Sequence, residues 1–305
     1  MLKSQSIRDV HSAHAINHPV ESFYFLIDHA GMPGLHRELR RTRLEWVTLF
    51  EGTTQANALS VAPLLIRICT TSEAIPDNFF LRWVCERGVH SSSLMLMASP
   101  LPIRELARRL TARLDAKISE DMDVLLRYFD PRVFEQLVRC LSVEQRTNFL
   151  SAASAWWFVD RIGELQAVEA QFSNVDAFCP PLILTARQEQ ELVDASEPDQ
   201  VEEQLRQSVP NEFTRLLGAE RHLFITRHMR AAREFRITST REFALYCALA
   251  LVYGPDFSFR PEWAPKLYLI QEGRSDLTSA VAGLNESLAD EESHETKPIS
   301  SKFVV

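Results

Sequence analysis

The sequence predicts an α/β N-terminal lobe, a parallel or mixed sheet flanked by helices, followed by an all-α C-terminal lobe. Three observations carry this. As far as about residue 150, short apolar runs alternate with amphipathic stretches, the pattern of a layered α/β unit. The runs are nearly continuous rather than cleanly alternating, so both faces of the sheet are expected to be covered. Beyond about residue 185 no strand-like run follows, and helix caps and helical periods take over.

The elements follow in order. Phe23–Ile27 (FYFLI) reads as a strand closed by Asp28 and a Gly-Met-Pro-Gly turn, and residues 34–43 as a polar helix. Trp46–Phe50 and Leu64–Ile68 read as strands, 77–87 as a helix, and Leu94–Met97 as a fourth strand. Residues 102–118 read as one helix, with Ile103, Leu106, Leu110 and Leu114 on one face. Val124–Tyr128 reads as a fifth strand. A helix then starts at Asp130-Pro131, striped by Val133, Phe134, Leu137, Val138 and Leu141. Thr185-x-x-Gln188 and Ser239-x-x-Glu242 fit capping boxes. Helices are expected near 186–196, 199–208 and 211–235. Phe243–Tyr253, apolar on all sides and stopped by Gly254-Pro255, is the expected core helix of the second lobe. The predicted boundaries are a flexible extension at 1–19, an α/β domain at 20–184, a helical domain at 185–285 and a disordered acidic tail at 286–305.

Composition narrows the function classes. Of 305 residues, 46% are hydrophobic and 24% charged, which excludes disorder of the whole chain. Only nine glycines are present, with no GxGxxG or GxxxxGK, so a phosphate-cradling loop is not expected. The net charge of −8 sits in two segments. Residues 186–209 carry −5 and 286–305 carry −3, while the remainder balances. An acidic chain is a poor start for holding phosphate backbones. The longest apolar run, Phe243–Tyr253, spans eleven residues, against about 20 for a bilayer crossing. The first twenty residues hold no signal-peptide core. Five cysteines without CxxC spacing are expected to be buried thiols in a reducing cytoplasm.

Several residues are candidates for chemistry. His11, His14 and His18 have spacings that can share a helix face, but no carboxylate or cysteine is read as completing a metal set. Ser91-Ser92-Ser93 follows His90 without a GxSxG elbow, and sequence neighbours do not make a triad. Asp28, at the C-terminal end of a strand, fits either a functional carboxylate or a turn cap. Asp130-Pro131-Arg132 reads as an N-cap followed by proline at the first helical position. Arg127 and Arg132 flank Asp130 and can pair with it or with a partner's carboxylate. Arg221, Arg227, Arg230, Arg233, Arg236 and Arg241 form a basic stretch with Glu234 as its only acid. It is expected to be a solvated face or to pair with the acidic 186–209 segment. Nucleic-acid binding through these arginines is an alternative that lacks interleaved exposed aromatics.

Four pieces in fixed order carry a resemblance over roughly residues 20–150: FYFLIDHA at 23–30, LFEGT at 49–53, APLLIRI at 62–68 and LLRYFDPRV at 125–133. Together they resemble the adaptor-chaperones of bacterial type VI secretion, the Tap/TEC group. Asp28, Gly52, Pro63, Asp130, Pro131 and Arg132 occupy matching positions. Met229–Phe235, Ser239–Glu242, Phe243–Tyr253 and Gly254–Phe257 look like the helical region of those adaptors. One departure is Cys85-Glu86-Arg87-Gly88 after Trp83, where the family often has a Trp-Gly pair, and a differing surface loop is expected there. The resemblance implies a non-enzymatic cytoplasmic protein without cofactor or metal. It would bind a secreted effector toxin and help load it on the VgrG/PAAR spike, without nucleic acid or membrane insertion. Asp28, Arg127, Asp130, Arg132, Arg227 and Arg230 are the candidate partner-binding residues, with Gly52, Pro63, Tyr128 and Pro131 as structural landmarks. The runner-up is a hydrolase using Asp28 or Asp130 as acid or base, which would need a pocket with convergent polar groups beside them.

Overall fold

The computed structural model describes residues 4–76 and 78–282. The chain divides into two compact units that meet at Ala195/Ser196. This boundary lies eleven residues beyond the predicted one, because the helix that opens the acidic segment starts in the first unit. The expected tail, 286–305, lies outside the described residues.

The first unit runs α1 (Ser4–Ala15), β1 (Ser22–Ile27), α2 (Leu35–Leu39), β2 (Trp46–Thr48), β3 (Leu64–Thr70), α3 (Phe79–Ser91), β4 (Leu94–Ser99), α4 (Ile103–Ala112), β5 (Asp115–Ile118), β6 (Met122–Leu125), α5 (Pro131–Cys140), α6 (Val143–Leu150), β7 (Ala155–Val159), β8 (Leu165–Glu169) and β9 (Leu182–Ile183). A six-stranded sheet has the order β2-β3-β1-β4-β7-β8, and β6-β5-β9 form a small second sheet. The α/β class is as expected. The pairings of the large sheet are all antiparallel, and the one parallel pair is β5 with β9 in the small sheet.

Both faces of the large sheet are covered, which is why its strands read as continuous apolar runs. Successive side chains point to opposite faces. Tyr24, Leu26, Met95, Met97, Trp156 and Phe158 pack in one core with α4, α5 and α6. Phe23, Phe25, Ile27, Leu94, Leu96 and Trp157 pack in a second core with α2, α3 and Ile7 of α1.

Local differences have identifiable causes. The helix expected over 102–118 stops at Ala112, and Asp115–Ile118 instead pairs with β6 and β9. Helical periodicity runs on through Leu114, which is buried in the same core by a turn rather than by a helix. The strand expected at 124–128 ends at Leu125. Tyr128 leaves it to donate its buried hydroxyl to the Leu110 carbonyl at 2.8 Å. Residues 4–15, read as part of a flexible extension, form a helix whose Ile7 and His11 are buried. The helix expected at 77–87 forms as α3, and it takes in Cys85–Gly88, where the resemblance implies a differing surface loop. A Cβ on Gly88 would come within 3.2 Å of the Leu94 side chain, so this helix packs closely on β4.

The second unit is helical: α7 (Ala186–Ser208), α8 (Pro210–Phe213), α9 (Gly218–Glu234), α10 (Thr240–Tyr253) and α11 (Ala264–Gln271). The two helices expected either side of Pro198 are one, α7, with proline inside it. The Thr185–Gln188 capping box forms: Gln188 N–H donates to Thr185 Oγ1 at 3.3 Å and Thr185 N–H to Gln188 Oε1 at 3.0 Å. Ser239 caps α10, and Gly254 ends it in left-handed backbone at φ +99°. As expected, α10 is the core helix. Phe243, Tyr246 and Cys247 are buried with Trp263, Phe213 and Met229.

Candidate functional site

The chain reversal after β1 and the start of α5 bring four sequence-predicted residues together. Asp28 ends β1, where its N–H donates to the Ser93 carbonyl at 2.9 Å. Its carboxylate is buried and engaged on both oxygens. Oδ1 accepts from Ala30 N–H at 3.0 Å, and Oδ2 accepts from Arg127 Nη2 at 2.9 Å. Asp28 therefore both caps a turn and holds an ion pair. Burial pushes its pKa above the usual carboxylate value against the pull of Arg127, and the neighbouring Asp130 charge adds to the rise.

Asp130 caps α5. Its Oδ1 accepts from Arg132 N–H at 2.9 Å and from Arg132 Nε at 3.0 Å, and its Oδ2 from Arg132 Nη2 at 2.7 Å. Pro131 occupies the first turn, where a missing N–H costs nothing. The arrangement is thus two nearly buried carboxylates, each held by an arginine that reaches solvent. The side-chain exposures are 5% for each aspartate, 51% for Arg127 and 37% for Arg132. Arg127 makes one hydrogen bond among the described residues and also lies 5.7 Å over the Phe129 ring. Its remaining N–H donors are available for a carboxylate or backbone carbonyl from outside.

The structural landmarks lie where expected. Gly52 turns the chain after β2 at φ +75°, backbone that a side chain would strain. Pro63 is buried and its carbonyl accepts from Leu49 N–H at 3.0 Å. Tyr128 is fully buried, and burial raises its pKa.

Arg227 and Arg230 belong to the second unit and are exposed on α9. Leu223, 69% exposed, sits one turn before Arg227 on the same helical face. The basic stretch is not uniform. Arg221 stacks over Phe213 at 4.9 Å. Arg233 lies over Phe243 at 4.9 Å and bonds Glu197 at 2.6 Å. The expected pairing between the arginine stretch and the acidic segment is seen in this Arg233–Glu197 ion pair. In α7, Glu202 and Glu203 pair with Arg206 instead.

Three features escape a residue-by-residue reading. Arg113, fully buried at the end of α4, donates Nε–H to the Phe149 carbonyl at 2.6 Å and bonds Asp176 at 2.8 and 3.1 Å. Burial raises the Asp176 pKa, but the bonds and charge of Arg113 outweigh it and hold the carboxyl below its usual value. A buried arginine 63 residues from its carboxylate leaves no local signal. The exposed Leu223 is readable in principle, since it falls on the same face as Arg227 and Arg230. Glu21 lies three residues beyond His18, and it completes a cluster with His14 and His18 whose ligand-type atoms all lie within 4.8 Å of one another. His11, grouped with them by spacing, instead approaches Cys69 Sγ at 3.5 Å and Phe23 edge-on. The cysteines also diverge from expectation. All five are free, but Cys179 is exposed and Cys140 only partly buried.

Two cavities, of about 500 and 320 Å³, are lined by residues 8–19 with 71–75 and by 43–45 with 67–73 respectively. Neither includes Asp28 or Asp130. Among the described residues, no helix is long and apolar enough to cross a membrane. Residues 23–148 match the family described as "Domain of unknown function (DUF4123)". No curated protein and no solved structure matches the chain.

Proposed function

With residues 23–148 assigned to the DUF4123 family, a domain associated with effector-loading proteins of type VI secretion, we propose that this protein is a non-catalytic adaptor. It binds a secreted effector toxin in the producing cell and assists its loading on a VgrG or PAAR spike protein. The observation that carries this reading is the family match over residues 23–148, which takes in four strands of the large sheet (β1 to β4), the Asp28–Arg127 pair and α5. The site chemistry supports it in two ways. Both carboxylates are already committed, Asp28 to a turn and an arginine and Asp130 to a helix N-terminus. The groups left at the surface, Arg127 here and Leu223, Arg227 and Arg230 on α9, are of the kind that recognise protein. Arginine is enriched at protein interfaces, where an exposed apolar side chain beside it supplies buried area.

The test is co-expression of the full chain with a candidate effector and affinity capture of either. Co-purification of a stoichiometric complex supports the reading, and weakening by Arg127→Ala or Arg230→Glu, each with an unchanged melting temperature, maps the surface. An effector that stays apart from the adaptor and is secreted at the same level without it overturns the proposal.

A further inference from the structure

His14, His18 and Glu21 converge at one end of the large sheet. His14 stands in the last turn of α1, His18 in the connection that follows, and Glu21 immediately before β1. His14 Nε2 lies 2.8 Å from Glu21 Oε2, and His18 Nδ1 lies 3.2 Å from Glu21 Oε1. The two imidazoles are stacked, with centroids 4.3 Å apart and planes within 4°.

We propose that these three side chains form a binding site for a zinc-class divalent cation, which ties α1 to the start of β1. Two imidazoles and one carboxylate are a donor set suited to zinc, and three protein ligands leave a fourth position for water. Bonds of about 2.0–2.1 Å in a tetrahedral site put ligand atoms roughly 3.3 Å apart. The two nitrogen–oxygen separations lie within about half an ångström of that figure, but the parallel stack keeps the two ring planes apart, so ligation by both imidazoles requires the half-exposed His18 ring to turn out of the stack toward Glu21. The surroundings already orient the donors, as the outer contacts of metal sites do. Ser154 donates its hydroxyl to Glu21 Oε2. Thr71 holds the connecting segment from both sides: its hydroxyl donates to the His18 carbonyl and accepts from Glu21 N–H at 3.1 Å. His14 and Glu21 are nearly buried, at 8% and 9% side-chain exposure, while His18 at 43% opens the site to solvent. A cation can thus enter on the His18 side, where the exposed ring is free of packing that would stop it turning, and meet His14 and Glu21 beneath. Because ligation needs unprotonated imidazole, binding would release protons and weaken in acid.

The test uses the full chain, with any affinity tag removed, stripped with a chelator and titrated with Zn²⁺ by calorimetry. The expected result is one tightly bound equivalent and a raised melting temperature. His18→Ala, at the half-exposed position where folding is least at risk, should weaken binding by at least about ten-fold. Co²⁺ in place of Zn²⁺ should give the visible absorption of a tetrahedral site, lost in His18→Ala. No saturable binding by the folded protein, or binding that survives both His18→Ala and Glu21→Gln unchanged, overturns the proposal.

Discussion

The Asp-Pro-Arg segment at 130–132 lies within the matched stretch, and the structure gives it a complete local task. That task can be separated from partner binding by two substitutions at one residue. Asp130→Ala removes the acceptor for Arg132 N–H and the partner of the Arg132 guanidinium. Loss of an N-cap costs about 1 kcal/mol, within roughly 0.5–2. Loss of a partly exposed ion pair adds about 0–1 kcal/mol. The sum is about 0.5–3 kcal/mol. Asp130→Asn keeps a side-chain oxygen at the position of Oδ1 and gives up only the charge, so its cost should stay below about 1 kcal/mol. Urea denaturation of both variants, followed by far-ultraviolet circular dichroism, measures the difference. If the two variants are equally destabilised, the cap is not what Asp130 supplies. If neither moves stability but both abolish effector capture, the residue acts at the interface and the structural reasoning is refuted.

Two further predictions concern stability. Arg113→Met strands Asp176 and frees two helix-end carbonyls in the core. A loss of about 3–5 kcal/mol in chemical denaturation is expected for a broken buried pair, and a loss under about 1 kcal/mol would contradict the assigned network. His228 is 3% exposed between Phe224 and Tyr246, and burial lowers its pKa to about 4. Its unfolded value is the higher one, so its contribution is full above pH 6.5 and is lost as pH falls toward 4. Between pH 7 and 5 the second unit should lose about 2 kcal/mol. His228→Leu should flatten that slope, and an unchanged slope would show that the ring is not held neutral.

Much of the fold is legible because the large sheet is covered on both faces: β1, β3 and β4 each announce themselves as apolar runs. The caps at Asp130, Thr185 and Ser239 are legible for the same local reason, since side chain and orphan N–H lie within three residues. Strand direction is not local. Helices between strands suggest parallel crossovers, yet the pairings of β1 with β3 and β4 are antiparallel. β5 reads Asp-Ala-Lys-Ile, with no apolar run to interrupt the helical period before it. β7, Ala-Trp-Trp-Phe-Val, carries as strong a strand signal as β1, yet it is not among the strands expected from the sequence. At the candidate site, Asp28, Arg127, Asp130 and Arg132 are all visible, but their juxtaposition is not, because 99 residues separate Asp28 from its arginine. The histidine cluster shows the opposite limit. Glu21 is close in sequence but reads as the polar start of a strand, and only the pinning of the connection by Thr71 and Ser154 turns it toward the imidazoles.

The central claim, that the protein serves an effector by binding it, is tested most directly by the fate of that effector in the producing cell. Effector level and secretion should be compared between wild-type, deletion and Arg127→Ala strains. The account predicts that deletion lowers effector abundance or secretion while leaving a second effector of the same secretion apparatus unaffected, and that Arg127→Ala lowers them without reducing the adaptor's own abundance. Equal effector abundance and secretion in all three strains would contradict it.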